Sequence, residues 1–212
     1  MVGVVSKWAF AAAVSGAIAL ILAPRASAEP MKASFASVGD ETSVPYGWVD
    51  FCNRYARECQ DDDRAPQPIR LTAAAMKAIE QVNVTVNHEI KAVSDMDHWG
   101  VIDRWDYPSD GRGDCEDFAL LKRKLLMQAG FPRQALLMTV VKEENGEGHA
   151  LLTVKTDQGE LVLDNLEDSV KAWQKTPYRF VKRQSETNQN IWVAIGAPTP
   201  APAYVSKRAL KD

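Results

Sequence analysis

Met76, Ile79, Val82, Val86, Ile90 and Val93 recur every three to four positions, the spacing of one helix face. Thr72 stands where its hydroxyl caps such a helix, so the pattern predicts a helix running from just after Thr72 towards Val93. The sequon at Asn83-Val84-Thr85 falls inside it and carries no weight as a glycosylation site. A second helix is predicted from near Cys115 to Gly130-Phe131-Pro132, where glycine and then proline end it. Leu120 and Met127 lie opposite Phe118, Leu125 and Ala129, and a helix that is apolar on more than one side is central in a fold. Lys122 interrupts that pattern. Strands are predicted at 135–141, 150–155, 160–163, 178–183 and 191–195, separated by polar stretches. Helices first and a meander of antiparallel strands afterwards define an α+β class, with the second helix packed on the sheet.

The two ends follow other rules. Lys7, an uncharged run from Trp8 to Leu22, Pro24 and then Ala26-Ser27-Ala28 predict a cleaved signal peptide over 1–28. The run falls short of the roughly 20 residues that a membrane span needs, which leaves an uncleaved anchor as the weaker alternative. Export to the periplasm is therefore expected. Residues 29–45 have few large apolar side chains and read as a loose leader, and 46–196 as the folded domain. The stretch opening at Ala197-Pro198-Thr199-Pro200-Ala201-Pro202 reads as a disordered tail over 197–212.

Composition narrows the class of function. The 212 residues are 46% hydrophobic and 25% charged with a net charge of −3, enough to bury a core and without the basic face of a nucleic-acid binder. No organic cofactor is expected. The Asp61-Asp62-Asp63 triplet reads as a solvated turn. Three cysteines cannot all pair within one chain. A straight helix would hold the Cα atoms of Cys52 and Cys59 about 10.5 Å apart, beyond the roughly 7 Å that a disulfide tolerates. A bridge between them requires a bend. Export favours that bridge over two buried thiols.

Cys115 is then left over, where the glycine-containing loop Asp110-Gly111-Arg112-Gly113-Asp114 enters a helix. A helix N-terminus favours a thiolate. Asp114, Glu116 and Asp117 oppose it by like-charge repulsion. His149 opens one strand and Asp164 closes the next, so Cys115, His149 and Asp164 are candidates for nucleophile, base and orienting carboxylate. The N–H of Cys115 and an indole N–H of Trp99 or Trp105 are candidate oxyanion donors. The plainer reading is a core cysteine, an ordinary strand histidine and a strand-closing aspartate. His88 and His98 show no evident partners.

Gly113-Asp114-Cys115-Glu116-Asp117-Phe118, Gly148-His149-Ala150-Leu151-Leu152 and Leu163-Asp164-Asn165, in that order, resemble the bacterial transglutaminase-like cysteine peptidases. Trp105-Asp106-Tyr107-Pro108 and Asn190-Ile191-Trp192 are further landmarks, and the resemblance spans about Trp48 to Val193. It implies a papain-like core of the transglutaminase type, with Cys115 as nucleophile, His149 as base and Asp164 as orienting residue. It also implies a periplasmic, calcium-dependent protease acting on a protein such as a surface adhesin, under an inner-membrane receptor. Asp114 and Glu116 occupy the family's calcium-binding positions, although Asp114 also suits an N-cap and Glu116 a first helical turn with no ion. A transglutaminase or amidase using the same thioester, and a non-catalytic calcium- or peptide-binding module, are the alternatives.

Overall fold

The computed structural model describes Gly3 and residues 34–61, 64–197 and 199–205. The expected signal peptide lies outside the described residues, apart from Gly3. In chain order the elements are β1 (Val38–Thr42), α1 (Tyr46–Arg54), α2 (Ala73–Glu89), β2 (Lys91–Ala92), α3 (Asp95–Trp99), β3 (Arg112–Gly113), α4 (Cys115–Gln128), β4 (Leu136–Lys142), β5 (Gly148–Thr156), β6 (Gly159–Asp164), β7 (Glu167–Ala172), β8 (Arg179–Gln184) and β9 (Trp192–Ile195). Seven strands form one sheet in the order β1-β9-β8-β4-β5-β6-β7, every neighbouring pair antiparallel. The short β2 and β3 pair in parallel. The architecture is α+β, with α4 packed against the sheet at β4, β5 and β6.

Alternation along the central strands explains their composition. Leu136, Met138 and Val140 of β4, Ala150, Leu152 and Val154 of β5, and Leu161 and Leu163 of β6 share one core with Cys115, Ala119, Leu120 and Leu126 of α4. The intervening Val141, Leu151 and Val162 pack on the other face with Trp173, Tyr178 and Phe180. Strands covered on both faces read as nearly continuous apolar runs.

Thr72 caps α2 as expected, its hydroxyl accepting the Ala75 N–H at 3.1 Å. That helix stops earlier than its apolar period, because Ile90 turns extended and Lys91 donates its N–H to Gly111. Asn83 is buried with its Nδ2 on the carbonyls of Glu167 and Asp168, which suits no glycan. The leader is more ordered than its composition suggests, since Val38–Thr42 pairs with β9 as an edge strand. Of the expected tail, residues 198 and 206–212 lie outside the described residues, and Val205 is buried in the main core. Edge strands β1 and β7 carry mostly polar residues, so they lack the apolar signature of the centre.

Cys52 and Cys59 are bonded. α1 ends at Arg54, Tyr55 leaves helical geometry, and a 3₁₀ turn over Ala56–Cys59 brings the two Cα atoms to 5.6 Å. That is the bend the bridge required.

Lys122, the residue that breaks the apolar pattern of α4, is fully buried. Its Nζ has no hydrogen-bond partner among the described residues and lies 5.9 Å from the centroid of the Phe118 ring. Burial lowers its pKa from 10.5 to about 7, against the pull of Asp164 and Asp168. Between those two values the unfolded chain holds a proton that the folded chain has lost, so folding stability rises with pH through the window. Lys122→Met is therefore expected to stabilise the fold at pH 7 by about 1–4 kcal/mol. Urea melts at pH 7 and pH 10 check this, and the difference between the two should shrink in the variant.

Candidate active site

The N-terminus of α4 is assembled from three separate stretches of chain. The β2–β3 pairing is extended by Val93, whose N–H reaches the Gly113 carbonyl, and this sets the start of α3 against the start of α4. Asp95 then donates its N–H to Asp114 Oδ2 at 3.2 Å. Asp117 folds back over the entry, accepting the Asp114 N–H at 3.4 Å and the Asp106 N–H at 2.7 Å. Gly113 is required for this, because a Cβ there would lie 2.5 Å from Asp117 Oδ2.

Cys115, the first residue of α4, is 1% exposed. Its S–H donates to Glu116 Oε2 at 3.1 Å, and Sγ accepts the Ala150 N–H at 3.4 Å. The sulfur thus touches the backbone of the residue that follows His149. Burial, and next the charge of Asp114, push its thiol well above the usual range. Of the two opposing influences expected at the helix start, carboxylate repulsion, together with desolvation, outweighs the favour for a thiolate.

His149 and Asp164 lie on one face of the sheet, since β5 and β6 pair with Leu152 opposite Leu163 and side chains alternate from there. His149 Nε2 and Asp164 Oδ1 are hydrogen-bonded at 2.9 Å. Leu166 donates its N–H to the same oxygen at 3.1 Å, and the Tyr178 hydroxyl donates to Oδ2. Burial would raise the Asp164 carboxyl, but the bond to His149, that ring's charge and the Tyr178 bond outweigh it and hold the pKa at about 2. Asp164 is an ionised, triply held acceptor. The second ring nitrogen of His149, Nδ1, has no hydrogen-bond partner among the described residues, and Cys115 is not bonded to it.

Tyr178 is invisible to motif reading, because it is one of several aromatics at the start of an ordinary strand pattern. Its ring centre lies 5.4 Å from that of His149. Tyr178→Phe keeps the ring and deletes the bond to Asp164. It is expected to lower kcat/KM about tenfold, the equivalent of one charge-assisted hydrogen bond, with the loss in kcat. Steady-state kinetics on the variant check this.

Beside Cys115 lies a nest of carboxylates. One oxygen from each of Asp95, Asp103 and Glu116 falls within 4.8 Å of the others, and the same holds for Asp95, Asp114 and Asp117. Burial and then the Asp114 charge raise Asp95 to about 7, and burial raises Asp103 to about 6. Glu116 and Asp117 are raised as well, by burial and then by Asp114. Asp95 Oδ1 and Glu116 Oε1 are buried with no hydrogen-bond partner among the described residues. Crowded, desolvated oxygens of this kind form a hard-ligand set suited to a divalent cation. Asp95 and Asp103 add to the pair Asp114 and Glu116 read from sequence. Only the density of aspartates upstream hinted at them.

Other expectations resolve differently. Trp105 is buried and commits its indole N–H to Asp103 at 3.1 Å, which removes it as an oxyanion donor. Trp99 is exposed and stacks on His98. His98 and His88 do have partners, Asp110 and Asp168, each at 2.9 Å.

Residues 38–199 match the family of the bacterial transglutaminase-like cysteine proteinases (BTLCP), and the chain belongs to that family. It is a cysteine peptidase. No curated protein matches it. Among solved structures, it is similar to Legionella pneumophila LapG, at 26% identity over 57% of this chain and 69% of that one, with a TM-score of 0.49. It is also similar to calcium-bound LapG from the same organism, at 21% identity over 72% of this chain and 92% of that one, with a TM-score of 0.49.

Proposed function

We propose that this cysteine peptidase acts outside the cytoplasm on a cell-envelope protein, using Cys115 as nucleophile, His149 as base and Asp164 as orienting residue. The observation that carries the reading is the chain of contacts Tyr178–Asp164–His149, next to a cysteine sulfur bonded to the N–H of Ala150. Asp164, ionised and held by three donors, fixes the ring so that one nitrogen faces the carboxylate and the other is left for proton transfer.

In the forward half, Cys115 Sγ attacks the scissile carbonyl carbon as its proton passes to His149. The C–N bond breaks, the amine leaves with that proton, and a thioester remains on the enzyme. In the second half His149 takes a proton from water, the hydroxyl adds to the thioester carbonyl, and the Cys115 thiol is released with the acid product. The N–H of Cys115 is the candidate donor to the oxyanion. A calcium ion held by Asp95, Asp103, Asp114 and Glu116 would supply positive charge that offsets the repulsion around a Cys115 thiolate.

The signal-like segment at 1–28 supports a periplasmic site of action, and the family resemblance supports a surface adhesin as substrate and an inner-membrane receptor as partner. The test compares envelope proteins from cells carrying the native chain and cells carrying Cys115→Ser. A protein shortened or released only with the native chain is expected. Identical patterns would overturn the reading.

A further inference from the structure

Residues 199–205 have no role in the chemistry, yet they fold back onto the reactive centre. Val205 is 3% exposed and belongs to the same buried cluster as Cys115, Trp105, Val140 and Ala150. Its N–H is held by Asp103, a residue close enough to Cys115 for its charge to act on the thiol. Upstream of it, the segment lies on Gly148, the residue immediately before His149. A Cβ at Gly148 would come within 2.4 Å of the Tyr204 carbonyl oxygen and 2.8 Å of Pro202 Cβ. The missing side chain is what lets the segment approach so closely.

The segment also forms a wall of two clefts. One, of about 670 Å³, runs from Pro202–Tyr204 to Met96, Ile102 and Lys142. The other, of about 290 Å³, runs from Ala201–Val205 to Val44, Tyr46 and Val140. Residues 202–204 line both hollows and form a rib between them, packed on Gly148, the neighbour of His149. Cys115 is 1% exposed and His149 0%, so a polypeptide reaches the sulfur only when a neighbouring segment moves. The rib is anchored at its far end, where Val205 is buried and its N–H is held by Asp103. It joins no strand, and its prolines have no N–H to donate to a neighbour. Its alanine- and proline-rich chain belongs to no helix or strand, and proline favours the extended form in which a protease takes its substrate.

We propose that residues 199–205 are an internal occupant of the peptide-binding cleft, lying where the substrate chain must lie. The inference rests on the protease reading above. It identifies the cleft's ligand as a run of alanine and proline followed by an exposed aromatic and a buried aliphatic side chain, and it makes departure of residues 199–205 a condition for substrate entry.

Cys115 is the sole free thiol beside the Cys52–Cys59 disulfide, so alkylation by iodoacetamide at fixed pH reports access to it directly. The full chain, a variant lacking residues 199–212 and the full-length Val205→Ser variant are compared, each after its thermal melt shows a cooperative fold. Removing the segment is expected to raise labelling about tenfold in the shortened chain, and loosening its anchor to raise it by a smaller factor in Val205→Ser. A synthetic peptide of residues 197–212 should restore protection to the shortened chain. Equal labelling rates in all three proteins, with no effect of the peptide, would overturn the proposal. Labelling reads access and not turnover, so this outcome is distinct from failure of the protease reading, which shows as loss of substrate cleavage in every variant.

Discussion

Cys115→Ala is expected to abolish peptide cleavage, lowering kcat/KM by about 10⁴-fold or more, because the thioester route is lost entirely. The fold should survive. Cysteine is a small side chain, and its contacts in the core are shared with Ala119, Ala150 and Val140, all retained. His149→Gln is expected to cost nearly as much, and the double variant no more than the worse single one, since nucleophile and base act as a unit. Steady-state cleavage of a substrate released in the envelope comparison measures all three. Additive losses would show that Cys115 and His149 work independently, against a shared proton-transfer step. The contrast with the tenfold loss expected for Tyr178→Phe separates residues that make and break bonds from one that holds another in place.

Removal of calcium is expected to have the second largest effect. With a chelator, four or more carboxylates crowd one desolvated site and Cys115 is held as a neutral thiol by burial and the Asp114 charge. Activity should fall to a small residue and return with added Ca²⁺. Stability gives an independent readout, because an ion that binds only the folded chain stabilises it by about 2.7 kcal/mol at a hundredfold excess over Kd. Asp95→Asn and Asp114→Asn should blunt that rise. In chelator the pH dependence has a definite sign. Asp95 and Asp103 release their protons near 7 and 6 in the folded chain, against 3.8 for an ordinary aspartate. From about pH 4 to 7 the folded chain therefore keeps protons that the unfolded chain has lost, and stability falls as pH rises. Calcium should flatten that slope. Thermal melts at pH 5 and pH 7, with and without Ca²⁺, check both points, and a slope unchanged by Ca²⁺ would remove the ion from the site.

What is legible in the sequence follows from where each residue sits in the fold. The centre of the sheet is readable because β4, β5 and β6 are covered on both faces, so runs such as Leu136–Val141 have no other good place. Thr72 and Gly130 mark helix ends through local backbone chemistry that needs no tertiary context. Val38–Thr42 and Glu167–Ala172 pair at the sheet margins, where solvent accepts polar side chains, and no apolar rhythm announces them. The triad candidates stand out because each falls at an element terminus within a distinctive block.

Their supports are less visible, since Tyr178, Asp95 and Asp103 reach the site only through sheet pairing and the β2–β3 contact. The depressed Lys122 and the raised Cys115 have the same origin: burial is a property of the folded chain that an α4 sequence rich in charges conceals. The tail shows this most plainly. Ala201-Pro202-Ala203 looks disordered by composition, and what places it is the bare backbone of Gly148 together with the buried Val205 at its far end.

Activation of the Cys115 thiol by His149 is measured by the ratio of two alkylation rates. Iodoacetamide is applied at pH 7 with Ca²⁺ to the native chain and to His149→Gln. Both keep residues 199–205, so the ratio reads the change of side chain at position 149. Labelling is expected to be at least about tenfold slower in the variant, because the imidazole no longer accepts the thiol proton. Equal rates in the two proteins would contradict it.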